Sequence, residues 1–122
     1  MSRGAARRGA TSRVATSGGQ LVGTVHEARS SWSRMVGLLA HRSLPVGEGL
    51  LLAPAWSIHT WFMRFAIDVV FLDADGVVLR VFPALPPWRL VSGTLKARTV
   101  LEFGAGTLAR TPLVPGERLR IG

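Results

Sequence analysis

Apolar and polar residues alternate most regularly between Ile58 and Asp73. Trp61, Met63, Phe65, Ile67, Val69 and Phe71 share one parity, and Thr60, Phe62, Arg64, Ala66, Asp68, Val70 and Leu72 the other. A period of two marks a strand, because successive side chains leave opposite faces. One face is therefore expected to be apolar core and the other mixed. Sixteen residues are long for one strand, so a bend or break is expected near Arg64–Ala66.

The flanking pattern extends the β reading. Asp73-Ala74-Asp75-Gly76 separates Val69–Leu72 from Val77–Phe82, and Asp-Gly between two such runs signals a tight hairpin. Pro83, Pro86 and Pro87 are expected to end that pairing, which resumes at Trp88–Val91. Gln20–Val25, Leu50–Ala53 (stopped by Pro54), Arg98–Phe103 and Glu117–Ile121 read as further short strands. One helical stripe, Trp32, Met35, Val36 and Leu39, stands at i, i+3, i+4, i+7. Ser30 or Ser31 caps it, in preference to an earlier capping box at Thr24–Glu27, and Gly37 marks its end. Gly104–Arg110 is a compact turn or short helix. The expected fold is mainly β (α+β), a small barrel or sandwich of short, mostly antiparallel strands with one or two short helices.

Composition changes this picture at the N-terminus. With 122 residues, 48% apolar, the chain suits one domain, and the absence of cysteine removes disulfide and thiolate chemistry. Residues 1–19 carry four arginines, no acid and little to bury. They are expected to form a disordered basic tail, leaving 20–122 as a single β-rich domain. These arginines account for half of the net charge of +8. Nucleic-acid binding through the tail is therefore a lesser alternative rather than the leading one. Arg7-Arg8 invites a twin-arginine reading, but Gly9–Gly19 is polar, so a cytoplasmic protein is expected. No apolar run reaches the length of a membrane helix.

Several motifs resemble chemistry and fail on their requirements. Gly104-Ala105-Gly106-Thr107-Leu108-Ala109 fits G-x-G-x-x-A. A dinucleotide site also needs a βαβ unit and an acid about 20 residues on, so close turn packing is the better reading. Asp73-x-Asp75-Gly76 opens like a calcium loop, but Val77–Pro83 supplies no further oxygen ligand. His26, His41 and His59 lack metal-ligand spacing, and no nucleophile elbow occurs. No metal or cofactor is expected. What remains is polar chemistry inside apolar strands. Asp68 and Glu102 are candidate buried carboxylates. His59, Arg64 and Asp68 can form a pocket bordered by Trp61 and Trp88 only if the strand bends. Trp88-Arg89, beside Pro86-Pro87, is a candidate stacking edge.

As a set, Arg34–Leu39, Gly49–Leu52, Ile58–Asp73, Asp75–Val78, Pro86–Arg89 and Val100–Gly106 resemble the successive blocks of domain-of-unknown-function family 192, from about Leu21 to Ile121. The chain departs from the family pattern at Gly37-Leu38-Leu39, at Phe62-Met63 and at Ala66, where the family commonly has proline. The resemblance implies a small β-rich fold and transfers no catalytic residue. The expected function is a non-enzymatic module that binds a small ligand or protein through His59, Arg64, Asp68, Trp88, Arg89 and Glu102. The alternative is an acid–base hydrolase or isomerase using Asp68 or Glu102 with His59.

Overall fold

The computed structural model describes residues 11–27, 44–61 and 63–122. The helical stripe at Trp32–Leu39 lies outside them. The described residues hold nine strands: β1 Thr11–Thr16, β2 Leu21–Glu27, β3 Glu48–Leu52, β4 Ser57–His59, β5 Ile67–Leu72, β6 Val78–Leu85, β7 Leu90–Ser92, β8 Thr99–Gly104 and β9 Leu119–Ile121. Among the described residues one short helix, α1, spans Thr107–Arg110. Seven strands form a sheet in the order β6-β5-β8-β3-β2-β1-β9, and β4 pairs with β7 as a separate ribbon. All described pairings are antiparallel except β2 with β3.

The sheet curls into a half-barrel. Its two edges touch at an isolated bridge between Val77 and Arg118. There the Val78 N–H donates to the Glu117 carbonyl at 2.7 Å, and the Leu119 N–H to the Gly76 carbonyl at 2.9 Å. The hairpin read from Asp-Gly forms between β5 and β6, with Gly76 at φ 81 supplying the left-handed turn residue.

β1 corrects the expected tail. Thr11–Thr16 pairs with both β2 and β9, and Val14 is fully buried in the curl. The sequence hid this because Thr and Ser satisfy a strand at a sparsely apolar seam, where one valine suffices. The ordered domain thus begins before residue 20. Pro83 brings a second correction, since β6 continues through it to Leu85. β6 lies at the sheet edge, where a missing N–H costs no ladder bond.

The long alternating segment breaks as expected: β4 ends at His59 and β5 begins at Ile67. Its parity reading holds only in part. β5 is buried on both faces. Val70 and Leu72 join Val14, Val22, Leu101, Phe103 and Leu108 inside the curl. Ile67, Val69 and Phe71 pack with Ile58, Met63 and Val100 on the outer face, beneath the ribbon. Trp61 lies beyond the break and is exposed rather than core.

Candidate functional site

The β4–β7 ribbon presents two unlike faces. Ile58 and Val91 are paired and turn toward the outer core. Alternation therefore sends the pairs His59–Leu90 and Ser57–Ser92 outward. Just past the ends of the two strands stand Trp61 (45% exposed) and Trp88 (60%), beside Leu90 (67%). The His59 and Trp61 rings approach to 5.0 Å at 36°. The Nδ1 atom of His59 is buried and finds no hydrogen-bond partner among the described residues.

Thr60 holds this edge together. Fully buried, it donates its hydroxyl to the Pro86 carbonyl at 2.7 Å and accepts the Arg89 N–H at 2.9 Å. Its own N–H donates to the Arg89 carbonyl at 2.8 Å, and its carbonyl accepts the Trp88 N–H at 3.1 Å. These bonds clamp Trp88 at φ 65, a left-handed conformation. That conformation costs an L-residue roughly 1–2 kcal/mol. A bulky residue strained to stand exposed points to a functional rather than a packing role. Sequence reasoning missed Thr60, because its partners at Pro86–Arg89 are set by the tertiary fold.

The remaining predicted residues separate. Asp68 is buried, and its carboxylate accepts the Ala84 N–H at 2.7 Å and the Leu108 N–H at 2.8 Å. The first bond serves a bulge, where Ala84 adopts φ 50 and the register shifts between Ile67 and Val69. The second ties the first turn of α1 to the sheet. Glu102 is fully buried and also engaged. Its register partner is Val69, whereas Asp68 pairs with Phe103, so the two carboxylates leave opposite faces of the sheet. The expected pocket joining His59 and Asp68 is therefore not formed, since Asp68 turns into the curl. Arg64 and Arg89 are exposed on the loops that carry Trp61 and Trp88. Arg89 bends over its own loop toward the Pro87 and Trp88 carbonyls, at 3.4 and 3.5 Å.

The two motifs set aside in sequence have structural duties. The Asp73 carboxylate accepts the N–H groups of Val77 at 3.0 Å and Asp75 at 2.8 Å, which closes the hairpin. The Val77 N–H, then that of Asp75 and the positive charges of Arg118 and Lys96, hold its carboxyl below the usual range against the opposing push of burial. In the G-x-G stretch, a Cβ on Gly104 would run into the carbonyl oxygens of Leu44 and Pro45, and Gly106 takes φ 102. A shallow groove of about 230 Å³ lies at the other end of the ribbon, lined by Trp56, Thr94, Leu95, Ala97 and Arg98.

A family model described as an uncharacterized ACR matches residues 13–121. The chain belongs to domain-of-unknown-function family 192. Among curated relatives, UPF0127 protein PF1050 of Pyrococcus furiosus is 35% identical over 63 residues, 52% of this chain and 53% of that protein. UPF0127 protein PH1112 of Pyrococcus horikoshii is 42% identical over 50 residues, 41% of this chain and 43% of that protein. The chain thus aligns with about half the length of the curated relatives it matches. Two solved structures share the fold. R01717 of Sinorhizobium meliloti, named as a candidate transcription regulator, gives a TM-score of 0.74 at 24% identity over 91% of this chain and 92% of that one. A protein of unknown function from Novosphingobium aromaticivorans gives 0.73 at 20% identity, over 90% and 83%. The family match begins inside β1, in keeping with that strand's place in the sheet. Among the described residues, no helix is long and apolar enough to cross a membrane.

Proposed function

We propose that this family 192 domain is a non-enzymatic binding module whose ligand lies on the outward face of the β4–β7 ribbon, against Trp61, Trp88, Leu90 and His59. The observation that carries the reading is Trp88, clamped by Thr60 in a strained conformation that leaves it largely exposed. Two exposed indoles around one ribbon suit a ligand with a flat or apolar ring. The acid–base alternative has less support. Asp68 is occupied by two backbone donors, Glu102 is engaged, and the two face apart. An acid–base pair needs a shared cleft. The compartment we propose is the cytoplasm, because Thr11–Thr16, after Arg7-Arg8, is spent on the sheet. Cell fractionation tests that assignment, and recovery outside the cytoplasmic fraction overturns it.

A thermal-shift screen of nucleotides, sugars and other metabolites tests the binding reading. A ligand at about 100 times its Kd stabilises the native state by about 2.7 kcal/mol, a shift of several degrees. Trp88→Gly removes the indole while glycine accepts the positive φ, so the loop keeps its path. Loss of a hit in Trp88→Gly and in Trp61→Ala supports the reading. A hit retained by both variants overturns it.

A further inference from the structure

The ribbon and its loops come from segments that contain no acid. No aspartate or glutamate lies between Gly49 and Ile67, nor between Gly76 and Leu101. The same segments carry Arg64, Arg80, Arg89, Lys96 and Arg98, all exposed. Four of these cations are partly committed: Arg89 reaches toward the Pro87 and Trp88 carbonyls, and Arg98 donates to the Leu95 and Ala97 carbonyls. Arg80 lies 4.7 Å over the Phe82 ring and donates to the Ser92 carbonyl, and Lys96 lies within the electrostatic reach of Asp73. Arg64 and Arg89 stand on the loops of Trp61 and Trp88, while Arg98 lines the groove with Trp56. Each end of the ribbon thus pairs an exposed indole with an arginine. Trp56 and Trp61 are five residues apart in the chain, at most about 18 Å, which limits a strand touching both to a few nucleotides.

We infer that this face binds single-stranded nucleic acid, with bases stacked on Trp61 and Trp88 and phosphates met by Arg64 and Arg89. The inference rests on the binding reading above and gives its ligand a class. Stacking on exposed indoles requires bases that are free of a duplex. A basic surface built from segments without an acid suits a chain of phosphates. An uncharged sugar would use the indoles and leave the arginines without an anionic partner. An acidic peptide would use the arginines and leave the indoles without flat rings. The Ser57, His59 and Ser92 side chains between the two ends can hydrogen-bond base edges or sugars.

Fluorescence anisotropy of the full chain with a labelled mixed-sequence single strand of roughly 12 nucleotides at low salt tests the inference. Saturable binding is expected below about 100 µM, weakening as salt rises. Trp61→Ala and Trp88→Gly should each weaken it about ten-fold, and Arg64→Glu with Arg89→Glu should abolish it. Circular dichroism melts of each variant exclude unfolding as the cause. Replacing Arg3, Arg7 and Arg8 by serine should leave affinity within about three-fold, which separates this face from the N-terminal arginines. Absence of binding, variants that bind like the parent, dependence on the three N-terminal arginines, or equal binding of polyglutamate or duplex DNA would each overturn the inference. If the oligonucleotide fails while another screened compound is lost in Trp88→Gly, the binding reading stands and only the ligand class falls.

Discussion

Replacing Asp68 tests how the half-barrel is tied to its helix. The buried carboxylate accepts two backbone N–H groups, at 2.7 Å from Ala84 and 2.8 Å from Leu108. Hydrogen bonds to a charged group contribute about 1.5–3 kcal/mol each. Alanine removes both bonds and leaves the buried Leu108 N–H unsatisfied, while the Ala84 N–H lies at a part-buried bulge. Relief of the buried charge offsets part of this loss. The expected cost is about 3–5 kcal/mol, a large share of the roughly 5–15 kcal/mol that such a domain has. That corresponds to a fall in Tm of roughly 10–20 °C. Asp68→Asn keeps one acceptor but turns an NH2 toward the second N–H, so about 2–3 kcal/mol is expected. Urea denaturation gives both values, and amide exchange should show lost protection at Ala84 and Leu108. An alanine variant within about 0.5 kcal/mol of the parent would refute the clamp. Either substitution should act on stability and leave ligand affinity intact while the protein is folded.

Three other perturbations probe separate parts of the account. Thr60→Val keeps the shape but strands the Arg89 N–H and the Pro86 carbonyl, so a loss of about 2–3 kcal/mol is expected in denaturant melts. Thr60→Ser should recover most of it, and equal stability of Val and Ser variants would contradict the hub. Gly104→Ala drives a methyl into the carbonyls of Leu44 and Pro45, so a loss of about 3 kcal/mol or more, or insoluble expression, is expected. A variant as stable as the parent would show that this packing yields. The lowered carboxyl of Asp73 means that the folded state holds its proton less tightly than the unfolded chain. Its contribution is present above the ordinary aspartate range and is lost as pH falls through the depressed folded value. An NMR titration should find Asp73 titrating below the ordinary aspartate range, and a midpoint at or above that range would contradict the turn geometry.

Much of the architecture was legible because its signals are local. Asp75-Gly76 marked the hairpin through the conformation that glycine permits, and Pro54 marked the end of β3. The length of the alternating segment implied a break near Arg64–Ala66 even without proline at Ala66, and the interruption runs from Thr60 to Ala66. What escaped depends on the company a residue keeps. Thr11–Thr16 looks soluble in isolation, yet it becomes a core strand when β2 and β9 offer two ladders. Trp61 has core parity, but parity lapses where the strand ends. The functional guess shared this weakness. Asp68 and His59 are near in sequence, but the bend that was expected to join them turns Asp68 toward Ala84 and Leu108 instead. Trp88-Arg89 was visible as a stacking edge beside two prolines. The residue that fixes it, Thr60, was not, since nothing in the chain links it to Pro86.

The central claim is that ligand meets the ribbon's outward face, and tryptophan indole NMR reports on it directly. With signals assigned through Trp61→Phe and Trp88→Phe variants, a single-stranded oligonucleotide or a hit from the metabolite screen is titrated into the labelled full chain. The account predicts shifts at the Trp61 and Trp88 indoles and the Leu90 amide, with the Ala84 and Leu108 amides unmoved. Shifts centred on Ala84 and Leu108, with both indoles unchanged, would contradict it.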